Sequence, residues 1–199
     1  AKIVEKNTSN LGNVHIEPFD RTIYKDGINL VGNIRGDNGL GQSMRLIADI
    51  IDSDNIPFTI NNFYVPPGGS MTNHTYDYKI TEQAEYNINI IHVNASEFTL
   101  CYMDRGNKLW DYRYNIAYWL WELEDFPEEW LNNIMLADEI WTPAEFISNT
   151  LRKYTDKPVT TVPYSVTAPT DDKYDRKYFN LPEDKFLFLM MFASGSIME

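Results

Sequence analysis

Apolar positions in this chain come in short runs that alternate between strand-like and helix-like spacing. Gly27 to Ile34 is a mostly apolar run bounded by turn residues and reads as a buried strand. Gly36, Gly39 and Gly41 follow within six residues. Met44, Ile47, Ala48 and Ile51 then recur at i, i+3, i+4 and i+7, which predicts a helix from about Gly41 to Asp52. Leu46 and Ile50 make a second side of that helix apolar, as expected when it packs on a sheet. Ser53-Asp54-Asn55 ends it, and Phe58 to Phe63 is the second strand.

Tyr64 to Glu85 carries Pro66-Pro67-Gly68-Gly69 among many polar residues and reads as a long loop, of the kind that is often functional. Asn87 to Asn94 is the next strand, and residues 95–113 contain a helix of weaker pattern. Tyr114 to Trp121 is a strongly apolar strand. Pro127 suits the first turn of a helix reaching Leu136. Glu139-Ile140-Trp141 is a short strand, and Thr142-Pro143-Ala144-Glu145 has the spacing of a capping box opening a helix that reaches about Tyr154. Val159 to Pro163 is another strand, and Lys185 to Phe192 is the last apolar one.

Strands alternating with helices predict an α/β fold with a doubly wound parallel, Rossmann-like sheet. The expected organisation is an irregular lead-in over 1–26, a Rossmann-like domain over 27–166, a Pro-, Asp- and Lys-rich linker over 167–184, and over 185–199 the first strand of a second, incomplete domain. A strand parted from its own sheet exposes an apolar edge, so 185–192 is expected to pair with another chain or to stay disordered.

Composition narrows the function classes. With 199 residues, 43% of them apolar, the chain can bury one substantial core. A net charge of −12 argues against nucleic acid or an anionic membrane surface as a bulk electrostatic partner. Tyr114 to Leu151 holds eight acids and no Lys or Arg, so no basic patch hides in the middle. The lone Cys101 excludes an intrachain disulfide and a Cys-only zinc site and fits a reducing, cytoplasmic setting, free or peripheral to a membrane. Residues 1–10 are polar and lack the apolar stretch of a signal peptide, and the longest apolar run, Phe186 to Ala193, is too short to span a bilayer.

In open α/β sheets ligands bind outside the carboxyl ends of the strands. That rule selects Gly36–Gly41, Asn61-Asn62, His92 to Asn94, Trp121-Glu122, Thr142 and Tyr164-Ser165. The glycine loop has three readings. Gly36-x-x-Gly39-x-Gly41 is not the dinucleotide fingerprint, and Asn61-Asn62 stands where a nicotinamide site places an acid. A tight strand–helix turn without a ligand is the plain alternative. The third is a turn beside a sugar-nucleotide diphosphate, with glycines at φ > 0 and free N–H groups at the helix start. Glu122 stands out from the acidic group Glu122, Glu124, Asp125, Glu128 and Glu129 because it follows an aromatic strand at the crevice end; its neighbours read as solvated acids near a helix start. His92 is either a satisfied core histidine or a catalytic one. His15 and His74 read as surface residues, Cys101 and the tryptophans as mainly core. No spacing points to a metal site.

Six segments in order resemble one family. They are Gly27-Ile28-Asn29-Leu30-Val31-Gly32, Gly39-Leu40-Gly41-Gln42-Ser43-Met44-Arg45, Ile91-His92-Val93-Asn94-Ala95, Tyr114 to Leu123, Phe126-Pro127-Glu128-Glu129-Trp130, and Asp138-Glu139-Ile140-Trp141-Thr142-Pro143. Over about residues 27–199 this resembles the N-terminal half of bacterial family 4 (group 1) glycosyltransferases. The resemblance implies a GT-B fold and retaining transfer of a sugar from a nucleotide-sugar donor to a glycan, lipid or protein hydroxyl, with the nucleotide-sugar as substrate and with neither cofactor nor bound metal. It implies that Gly39, Leu40 and Gly41 flank the donor diphosphate, that His92 and Glu122 are the catalytic candidates, and that Asn94, Arg35 and Ser165 face the acceptor. Tyr164-Ser165 and Ala193 depart from the family pattern, which often has His then Gly or Pro at the first place and Asp at the second. The family's main donor contacts lie in a second domain, so the chain alone is expected to be inactive.

Overall fold

The computed structural model describes residues 14–66, 69–166 and 173–190. The sequence expectations for 1–13, for Pro67-Gly68, for 167–172 of the linker and for Met191 onward, Ala193 included, lie outside them. The chain divides into two compact units, 1–165 and 166–199.

Six parallel strands form the sheet of the first unit: β1 (Lys25–Gly32), β2 (Phe58–Asn62), β3 (Tyr86–His92), β4 (Tyr114–Tyr118), β5 (Glu139–Thr142) and β6 (Val159–Thr161), in the spatial order β2-β1-β3-β4-β5-β6. Helix α1 (Gly39–Ser53) covers one face, packing Met44, Ala48 and Ile51 on Leu30, Ile60 and Ile90. Helices α2 (Ala95–Arg105), α3 (Asn107–Trp110) and α4 (Glu145–Leu151) cover the other, where Phe98, Trp110, Trp119 and Leu151 close on Val31, Ile91 and Ala117. The fold is therefore the doubly wound, Rossmann-like sheet that the alternation of periods predicts.

Three segments differ from their sequence reading. Glu128–Leu136 is a 3-10 helix, not an α-helix. Its Asn133 is buried and tied to α2, donating from Nδ2 to the Ala95 carbonyl at 2.6 Å and accepting from Thr99 Oγ1. The capping box does not form. Thr142 is buried at the end of β5, and its hydroxyl bonds the Ala144 carbonyl and Ser148 Oγ rather than a helix N–H. Glu145 instead accepts from Arg152 and Thr161, and α4 ends at Leu151. Over Lys185–Met190 no strand ladder forms; Phe186, Phe188, Leu189 and Met190 are each at least 80% exposed. Within that second unit, Tyr174, Tyr178 and Phe179 pack edge to face and stacked, and Arg176 donates to the Pro182 and Lys185 carbonyls.

A polar ladder runs through the helix-covered interior at the lower ends of the central strands. Asn29, Asn89 and Asn115 occupy matched register positions on β1, β3 and β4. Asn29 Nδ2 donates to Asn89 Oδ1 and Asn89 Nδ2 to Asn115 Oδ1, both at 2.8 Å, while Thr59 Oγ1 on β2 donates to Asn29 Oδ1 at 3.3 Å. Arg113 beside it is 2% exposed and satisfies its guanidinium with the carbonyls of Tyr86, Lys108 and Ala84. Each asparagine of the ladder is thus matched, which is what makes its burial tolerable.

Candidate functional site

The strand order reverses between β1 and β3: the chain moves outward from β1 to β2, then crosses back to lay β3 on β1's other side. At such a switch point the connections leave the sheet in opposite directions and open a crevice at the carboxyl ends. Those ends are Gly32 and His92, paired in register. Gly32 has φ +148°, and a Cβ there would lie 2.5 Å from the His92 carbonyl oxygen, so only glycine lets the two strands end this close together. A cleft of about 160 Å³ sits there, lined among others by Asn33, Asn38, Leu40, Tyr64, His92 and Glu97.

The glycine loop works differently from its sequence reading. None of Gly36, Gly39 and Gly41 has positive φ. Gly41 serves packing: a Cβ there would stand 2.1 Å from the Gly36 carbonyl oxygen. Its N–H is taken by Asn38, whose side-chain oxygen caps α1 at 2.9 Å, and the Gln42 N–H bonds the Asn38 carbonyl. The N–H groups of Gly39 and Leu40 have no hydrogen-bond acceptor among the described residues. No acid lies in the first turn of α1, so the positive end of its dipole is uncompensated by its own side chains.

The long loop walls this end. Asp37 accepts from Ser70 Oγ and from the Thr72 N–H and hydroxyl, bonds that hold its carboxyl below the usual carboxylate range. Arg35 Nε donates to Asp77 Oδ1 at 2.8 Å, so Arg35 anchors the loop and is not a lining residue of the cleft.

His92 is 2% exposed, stacks on Tyr118 at 5.0 Å, and places Nε2 2.8 Å from Ser43 Oγ. The Ser43 hydroxyl donates to the Leu40 carbonyl at 2.9 Å, which makes the imidazole the donor and leaves Nδ1 as a buried acceptor without a partner. Burial pushes its pKa down to about 4. At neutral pH the ring is uncharged and couples the cleft to the first turn of α1. Asn94, just before α2, makes no capping bond, and its Oδ1 is buried without a partner. Glu122 is exposed on the coil that leaves β4 and is not a lining residue of the cleft; Ser165 is likewise exposed, beyond β6. Asn61 Nδ2 donates to the Thr81 carbonyl and Asn62 Oδ1 accepts from the Ile34 N–H, and neither residue lines the cleft.

Glu97 is the lining residue that sequence reasoning passes over. It lies in the first turn of α2, half-buried, with no hydrogen-bond or ion-pair partner among the described residues. Burial pushes its carboxyl pKa up. Its signal in the sequence is slight: an acid three residues beyond a strand-end Asn. Among the described residues no group of three His, Cys, Asp or Glu side chains is placed to hold a metal, and no helix is long and apolar enough to cross a membrane. No protein-family model, curated protein or solved structure matches the chain.

Proposed function

We propose that this chain provides the acceptor-side domain of a retaining glycosyltransferase, which moves a sugar from a nucleotide-sugar donor to an acceptor hydroxyl. The observation that carries the reading is the α1 start at the switch point: Leu40 lines the cleft, Gly39 is exposed just before it, and no acid lies in the first helical turn, a setting suited to a diphosphate. Oriented donors of this kind stabilise charge that develops on a leaving diphosphate. The six-segment resemblance names the reaction, and two of its segments meet at this point as Gly39-Leu40 and His92. Whole-ligand pockets run to about 300–1,000 Å³. A cleft of about 160 Å³ therefore suits the diphosphate and sugar portion, with the nucleoside held elsewhere.

Gly39→Pro tests this directly. Proline is well placed at a first helical position, and Asn38 has the extended backbone (φ −135°, ψ 178°) that a following proline favours. The substitution deletes one anion-facing N–H at little cost to folding. Nucleoside diphosphate sugars are expected to raise the thermal midpoint of an unsubstituted protein that joins this domain to a donor-binding one, reaching about 2.7 kcal/mol of stabilisation at a hundredfold excess over Kd. Gly39→Pro should lose most of that. A shift with NAD and with none of the nucleotide-sugars would overturn the reading.

A non-catalytic sugar- or nucleotide-binding module on the same fold is the second reading. It is favoured by the burial of His92 and by the place of Glu122 outside the cleft. Release of nucleoside diphosphate in the presence of acceptor, by a protein containing this domain, separates the two.

A further inference from the structure

We infer that Glu97 is the residue of the switch-point cleft that recognises the sugar, accepting a hydrogen bond from a ring hydroxyl while the α1 start holds the phosphate. The inference rests on the reading just given and adds to it a specificity-determining side chain. Leu40 and Glu97 line the same cleft from different helices, so its walls differ in chemistry. One offers backbone donors at the positive start of α1; the other offers a carboxylate. A ligand that satisfies both carries an anionic group and, close to it, a hydrogen-bond donor. A sugar joined to a phosphate has both within one ring's breadth.

The bland account of Glu97 is an acid in the first helical turn, kept there by the dipole of α2. The structure weighs against it. A carboxylate held by helix donors has its pKa lowered, whereas burial raises that of Glu97 and nothing donates to it. A half-buried carboxylate without a partner opposes folding, and such groups collect where a ligand supplies the missing donor. The other acids near the cleft are already engaged: Asp37 with Ser70 and Thr72, Asp77 with Arg35 and His74. The aromatic Tyr64, 42% exposed on the lining, offers a face for the ring.

The test compares UDP with UDP-glucose, and GDP with GDP-mannose, by titration calorimetry on a protein that joins this domain to a donor-binding one, unsubstituted and as Glu97→Gln. One sugar conjugate is expected to bind about tenfold tighter than its free diphosphate, the worth of one hydrogen bond to a charged group. Glu97→Gln, which keeps an acceptor oxygen but loses the charge, should cut that margin to about threefold or less and leave the affinity for the free diphosphate unchanged. It should also leave the thermal midpoint of the free chain equal or higher, because it removes an unpartnered charge; a residue that merely supported the fold would lower it. An undiminished margin in Glu97→Gln overturns the inference while leaving the diphosphate site standing. Failure of every nucleotide to bind the unsubstituted two-domain protein overturns the underlying reading, and this inference with it.

Discussion

Gly39 and Gly41 are two residues apart and look alike in sequence, yet they meet different surroundings. An added methyl at Gly41 would collide with the Gly36 carbonyl, a backbone atom that cannot swing aside; at Gly39 nothing lies within 4 Å. Gly41→Ala is therefore expected to cost roughly 1–3 kcal/mol, the usual range for forcing extra volume into a packed site. Gly39→Ala should be neutral or stabilising by up to about 1 kcal/mol, through helix propensity and a less free unfolded chain. Urea unfolding of the two variants checks both; equal effects would mean that the loop does not pack as described. The sequence shows three glycines and so a close-packed turn. It does not distinguish glycines needed for φ > 0 from those needed for want of a side chain, because only the path of the Gly36 carbonyl decides that. Glu97 escaped notice for a related reason: its type is common in first helical turns, and its isolation depends on which donors the fold fails to bring near.

At the scale of elements, hydrophobic periodicity located all six strands and the first helix within a few residues, because alternation and the i, i+3, i+4 stripe are direct images of what each element buries. The failures have a common cause. Thr142 and Glu145 carry capping-box spacing, but tertiary partners (Ser148, Thr161 and Arg152) hold their side chains more favourably than the helix N–H groups would. In Asn87-Ile88-Asn89-Ile90 polar and apolar residues alternate, yet Asn89 is fully buried. Only register makes sense of them: Asn29, Asn89 and Asn115 face one another across three strands and satisfy one another. Replacing Asn89 by Leu would strand Asn115 Oδ1 without its donor and leave the Leu109 carbonyl only its 3.3 Å bond from Arg113 Nη1. The expected loss is roughly 1–3 kcal/mol, from one buried acceptor left unpaired. A loss under about half a kcal/mol by urea unfolding would show that the ladder is not a closed network.

For the molecule as a whole, acidity and the neutral His92 combine in one measurable behaviour. The chain carries 29 acids against 17 bases, so mild acidification reduces its self-repulsion, which by itself favours the compact state. His92 acts in the opposite sense. Its pKa is about 4 in the fold against 6.5 for an ordinary imidazole, so between those two pH values the unfolded chain binds more protons at this site than the folded one. Stability contributed by the neutral ring is complete above about pH 6.5 and is lost as pH falls toward about 4, up to roughly 3 kcal/mol at about 1.4 kcal/mol per pH unit. The comparison that isolates it is the pH dependence of urea unfolding for the unsubstituted chain and for His92→Gln, whose amide still reaches toward Ser43 but does not titrate. The slope between pH 6.5 and 4.5 should be less steep in the variant. Equal slopes would mean that His92 charges readily inside the fold, and its imidazole would then be an exchangeable proton site at the end of β3 rather than a fixed neutral link between the cleft and α1.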